Sequence, residues 1–248
     1  MSGPQDLKVD IYLLAGLGTA PGFMENLRIM LTESLLKAEV FGRPFIRSSL
    51  LYPYGDWSRN VVAQLWEIRA DMRRGAARLD RSIGGGRALA DIARERAEAG
   101  DGEESGTTLL VGHSGGGVAA VHAAELLLKS GVSSCCFAVK IGSPRCRVPE
   151  RMKPRVLSIF AEGRRKDGSV GPSPDFVSRI GSYGGWTRKR GLPCWTRNKH
   201  APAAFLGVPI VGKHADYFRD REPYFNTDGR SNLELIVDSI VGWLTTVK

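Results

Sequence analysis

Cysteine, long apolar runs and low-complexity sequence are all scarce in this chain of 248 residues, and each shortage excludes something. Four cysteines do not make the disulfide framework of a small secreted domain, and two of them, Cys135 and Cys136, are adjacent, where pairing with each other is awkward. None belongs to a CxxC pair with histidine at metal-ligand spacing, so no metal site is expected. No stretch approaches the ~20 consecutive apolar residues that span a bilayer. Met1 to Asp10 has no apolar segment flanked by basic residues, which gives the expectation of a reduced, cytoplasmic protein without a signal peptide or stable membrane insertion. Helix-turn-helix, zinc-finger and RNA-binding signatures are missing as well, so no nucleic-acid partner is expected.

What is present is a globular composition, 42% hydrophobic and 25% charged, enough to bury a sizeable core in one domain spanning 1–248. The net charge of +9 is localised: residues 151 to 230 hold 16 Lys and Arg against 7 Asp and Glu, and the rest of the chain holds 19 of each sign. Such a face attracts anionic partners or is simply solvated.

Short apolar runs alternate with amphipathic stretches. Val9 to Ala15, Phe45 to Tyr52, Thr107 to Val111, Cys135 to Ile141 and Arg155 to Phe160 read as strands. Phe23 to Ala38 carries apolar residues at helical spacing, and so does the closing stretch Leu233 to Val247. A helical region opening at Ser58 is expected to end at the Gly84-Gly85-Gly86 break, with a polar helix from Arg87 to Ala99 after it. The alternation predicts an α/β fold of three layers around a mostly parallel sheet. Residues 168 to 213 break the pattern with many Gly and Pro among Trp186, Trp195 and Phe205, and are read as a cap-like insertion over the sheet edge.

The strongest chemical signal is Gly112-His113-Ser114-Gly115-Gly116, set between a buried strand and a helix of small residues. A serine hydroxyl becomes a useful nucleophile only when it is exposed, paired with a base and placed beside oxyanion donors. A tight strand-to-helix turn supplies the exposure, and flanking glycines remove the clashes.

With its strand and helix context, this motif resembles the nucleophile turn of the α/β-hydrolase superfamily, in particular its lipase and esterase members. The resemblance runs from Val9 to the last helix through motif order. It implies a serine hydrolase that cleaves carboxylic esters through an acyl-enzyme, with Ser114 as nucleophile and an acid and a base following in that order. The base maps onto His214, in Gly212-Lys213-His214-Ala215-Asp216-Tyr217-Phe218, in preference to His113, His122 and His200. The acid maps onto Asp167 in Asp167-Gly168-Ser169-Val170, with Glu162 as the main rival and Asp175 behind it. The oxyanion donors map onto the amides of Gly115 and Leu17, although Ala15 stands where the family commonly has a histidine before this loop.

Trp186 and Trp195 lie between acid and base and are expected to contact substrate, a small-molecule ester with an apolar acyl group. The five basic residues between 188 and 199 offer a site for an anionic leaving group or lipid surface. No cofactor is implied. The same residues serve an acyl-thioesterase, and an inactive hydrolase-fold binding protein would keep the turn without the chemistry.

Overall fold

The computed structural model describes residues 8–42, 44–100, 106–164 and 170–247. Six strands form one sheet: β1 (Lys8–Leu14), β2 (Phe45–Leu51), β3 (Thr107–His113), β4 (Cys135–Ile141), β5 (Val156–Ala161) and an edge strand, Ala204–Val208. From one edge the order is Ala204–Val208, β5, β4, β3, β1, β2, and every neighbouring pair is parallel. A parallel sheet needs both faces covered, which is why these strands read as nearly unbroken apolar runs.

Side chains along a strand alternate between faces. Val9, Ile11 and Leu13 of β1 enter one core with Leu27, Leu31 and Leu35 of α1 (Glu25–Lys37) and with Ile236, Ile240 and Leu244 of the C-terminal helix (Asn232–Val247). Tyr12 and Leu14 enter the other core. There they meet Ile68 of α2 (Val61–Met72), Ile92 of α3 (Ile83–Glu98) and the alanines of α4 (Gly115–Ser130). The expected three layers are therefore present. Among the described residues no helix is long and apolar enough to cross a membrane.

Two local readings need correction. The helix opening at Ser58 begins instead at Val61, where the Asn60 side chain accepts the Ala63 amide. The glycine triplet does not end a helix but begins one, with Ser82 as the N-cap accepting from the Gly85 amide. The glycines are there for close approach: a Cβ on Gly84 would lie 2.4 Å from the Tyr54 ring, and one on Gly85 would lie 2.6 Å from Cβ of His122.

The stretch from 168 to 213 is also more regular than its composition suggests. After the short paired segments β6 (Gly163–Arg164) and β7 (Val170–Gly171) comes an antiparallel hairpin, β8 (Gly185–Lys189) with β9 (Leu192–Thr196). Its two-residue turn, Arg190-Gly191, has positive φ at both positions (51° and 81°), which matches the strand twist. Ala204–Val208, now β10, then pairs with β5 and belongs to the main sheet rather than to an insertion, so the C-terminal helix is α5.

Candidate active site

Strands β1, β3, β4 and β5 all end at the same edge of the sheet, where parallel α/β folds place their ligand crevices. At the end of β3 the backbone turns sharply. Ser114 has φ 54° and ψ −129°, a region that L side chains rarely occupy and that is held only where surrounding structure enforces it. Here it is enforced from both sides. The Ser114 amide donates to the Ile141 carbonyl at 3.0 Å, and its own carbonyl accepts the Gly117 amide at 3.1 Å. Close backbone packing explains two of the glycines. A Cβ on Gly112 would sit 2.2 Å from the Gly116 carbonyl oxygen, and one on Gly116 would sit 1.9 Å from that of Leu14. The serine is left half-buried at the N-terminus of α4, facing a cavity.

His214 lines the same cavity. Its Nδ1 lies 3.1 Å from both carboxylate oxygens of Asp175, whose side chain is fully buried. Asp175 also accepts the Tyr217 hydroxyl at 2.9 Å and the Val177 amide at 2.9 Å. Burial alone would raise this carboxyl's pKa; the hydrogen bond and charge of His214, with the Tyr217 and Val177 donors, outweigh it and hold the pKa below the ordinary range. Tyr217 is itself tied to the sheet, its oxygen accepting the Ala161 amide at 2.9 Å. Gly142 has positive φ (54°), and a Cβ there would meet both the Tyr217 ring and Asp175, so this turn closes tightly over the pair.

The carboxylate on His214 is thus that of Asp175, not Glu162. Glu162 is fixed at the sheet edge, where its amide donates to the Val208 carbonyl at 2.8 Å. Asp167 lies outside the described residues. Asp175, the third candidate in the sequence, follows β5 by a longer path than expected, through the β6–β7 pair.

The other histidines separate clearly. His113 is buried beneath the site, stacked on His214 with ring centroids 4.8 Å apart, and its Nε2–H donates to the His214 carbonyl at 3.0 Å. Burial, followed by the neighbouring His214, pushes its pKa down to about 3, so it stays neutral and acts as a floor for His214. His122 is buried in α4 against Ser82, 2.8 Å away. His200 packs at Gly185 in the hairpin.

The loop after β1 approaches the serine turn from the other side. A Cβ on Gly16 would lie 2.7 Å from that of Ser114 and 3.1 Å from the Gly115 nitrogen. Leu17 and Gly115 both line the cavity. A residue that sequence reasoning missed holds this loop: Gln64 of α2, fully buried, accepts the Gly18 amide at 3.0 Å and donates to the carbonyls of Asp56 (2.7 Å) and Arg59 (3.0 Å). Gln64 shares the buried face of α2 with Glu67, Ile68 and Asp71, and no local pattern in the sequence marks it out.

The cavity has a volume of about 850 Å³, and its walls are mainly apolar, from α2 and from residues 177–184. Trp195 lines it; Trp186 does not, and instead packs edge-on against Trp195 at 5.5 Å on the exposed hairpin. The basic residues between 188 and 199 are likewise absent from its walls.

These features define an α/β protein that presents a serine on a strained strand-to-helix turn, with a buried His–Asp pair on the same cavity. No protein-family model and no curated protein matches the chain. Among solved structures it is similar to a cutinase-like protein from Cryptococcus sp., with a TM-score of 0.33 and 16% identity over 55% of this chain and 54% of that one. It is also similar to an acetylxylan esterase, with a TM-score of 0.40 and 8% identity over 98% of this chain and 97% of that one. At these levels a functional reading rests on the site's own geometry.

Proposed function

We propose that the chain is a serine hydrolase of the α/β-hydrolase kind that cleaves carboxylic esters. Ser114 Oγ attacks the acyl carbon while His214 Nε2 takes its proton, and the carbonyl electron pair moves to oxygen, held by the Leu17 and Gly115 amides. Collapse expels the alcohol, which takes the proton from His214, and leaves an acyl-serine. Water then attacks, His214 accepts its proton, and a second collapse releases the carboxylic acid and returns the proton to Ser114. Asp175, which accepts from Nδ1, fixes the tautomer that leaves Nε2 free for this work and stabilises the imidazolium.

The observation that carries the reading is the buried Asp175 at 3.1 Å from His214 Nδ1, on a cavity that also receives Ser114 from its strained turn. A fluorophosphonate probe and p-nitrophenyl esters of increasing chain length test it. Wild type is expected to be labelled and to turn over, Ser114→Ala to lose both, and His214→Ala and Asp175→Asn to lose on the order of 10³-fold or more in kcat. Glu162→Gln should stay close to wild type. Labelling that persists in Ser114→Ala, or a larger loss in Glu162→Gln than in Asp175→Asn, overturns the assignment. A wild type that neither labels nor hydrolyses oxygen esters or thioesters is a binding protein.

A further inference from the structure

One wall of the cavity comes from a single face of α2. Val62, Leu65 and Trp66 supply its N-terminal half, and Arg69 and Arg73, one turn apart, supply the end. Arg147, from the loop after β4, joins the same cavity. Among the described residues no acidic side chain lines it.

The acids of α2 are turned away and already occupied. Glu67 lies between Arg59 (2.7 Å) and Arg87 (3.0 Å), which hold its pKa down to about 2. Asp71 takes Arg74 at 3.0 Å, the Tyr54 hydroxyl at 3.0 Å and the Gly84 amide at 2.8 Å. Among the described residues no salt bridge engages Arg69, Arg73 or Arg147. Like charges four apart on a helix repel each other and weaken it. Complementing the helix C-terminus would explain Arg69 and Arg73, but not Arg147, which lies on no helix and still faces the same space. The apolar half of the wall is unusually open for its chemistry: Val62 is 74% exposed and Trp66 66%.

We propose that this cavity takes esters bearing both an apolar chain and an anionic group, with the chain against Val62, Leu65 and Trp66 and the anion between Arg69, Arg73 and Arg147. The inference deepens the hydrolase reading and rests on it.

Three substrates test it: p-nitrophenyl octanoate, mono-p-nitrophenyl suberate with a carboxylate at the end of the acyl chain, and 3-carboxy-4-nitrophenyl octanoate with one on the leaving group. At least one anionic ester is expected to exceed the neutral one roughly tenfold in kcat/KM, as a charge-assisted contact warrants. That ratio should shrink with added salt and fall to about one in the Arg69→Gln/Arg73→Gln/Arg147→Gln variant. Binding of octyl phosphate and of octanol to Ser114→Ala, by calorimetry, reads the anion site without turnover. Hydrolysis without anionic preference, together with no arginine-dependent binding of octyl phosphate, overturns the inference and leaves the hydrolase reading standing. Arginine-dependent binding of octyl phosphate with no ester hydrolysed overturns the hydrolase reading and keeps the anion site.

Discussion

Gln64 is the residue whose chemistry reaches furthest beyond its own position. Its amide is satisfied at both ends, and one of those bonds fixes Gly18, next to the Leu17 amide proposed as an oxyanion donor. Replacing it with Leu keeps the volume and removes the grip, so kcat is expected to fall on the order of tenfold with KM for a short ester little changed. A purely structural role would lower the melting temperature and leave kcat of the remaining folded enzyme alone; a rise in KM with unchanged kcat would contradict the positioning role. Ser114 and His214 were legible in the sequence because each sits in a short local pattern, a glycine-flanked turn and a Gly-x-His-x-Asp-Tyr-Phe run. Asp175 was less legible because its place beside His214 is set by the route the chain takes after β5, through the β6–β7 pair, and not by its neighbours in sequence. Gln64 could not be singled out at all, since its burial depends on a loop that arrives from 46 residues away.

Among the elements, α3 gives the sharpest contrast. Glycine in a helix interior normally costs about 0.5–1 kcal/mol relative to alanine, so three in a row suggested a break. Gly86 has open space where a Cβ would go, whereas Gly85 faces Cβ of His122 at 2.6 Å and Gly84 faces the Tyr54 ring at 2.4 Å. Gly86→Ala is therefore expected to stabilise the protein by roughly 0.5–1 kcal/mol, and Gly85→Ala to destabilise it by roughly 1–3 kcal/mol through overpacking. Urea denaturation of both variants checks the sign, and a stabilised Gly85→Ala would show that the packing of α3 on α4 is looser than described. Strands were easier to read than this helix because burial on both faces writes itself as an apolar run. The edge strand β10 was missed because its residues Phe205 and Leu206 stay largely exposed and its neighbours are rich in Gly and Pro.

At the scale of the whole molecule, two histidines are locked neutral in the interior. Burial lowers the pKa of His113 to about 3 and that of His122 to about 4. Unfolded, both take up a proton near pH 6.5, so below that value the unfolded chain binds more protons than the folded one. The stability present above pH 6.5 is then lost at roughly 1.4 kcal/mol per pH unit for each histidine as acidity rises. Asp175, with its lowered pKa, adds a loss in the same direction, but only in the range of carboxylate titration. Unfolding free energies measured from pH 7 to pH 4.5 should decline steadily, and a flat profile between pH 6.5 and 5 would contradict the burial of the two rings.

The placement of β1 bears on how the chain comes to be folded. It lies inside the sheet, with β2 on one side and β3 on the other, and its register joins Val9 to Thr107 and Leu14 to Gly112. During synthesis this greasy ribbon leaves the ribosome long before its second neighbour exists, and such late, distant pairing is slow and prone to sticking. The serine turn leans on Leu14 through Gly116, so it cannot close until β1 and β3 are both in place.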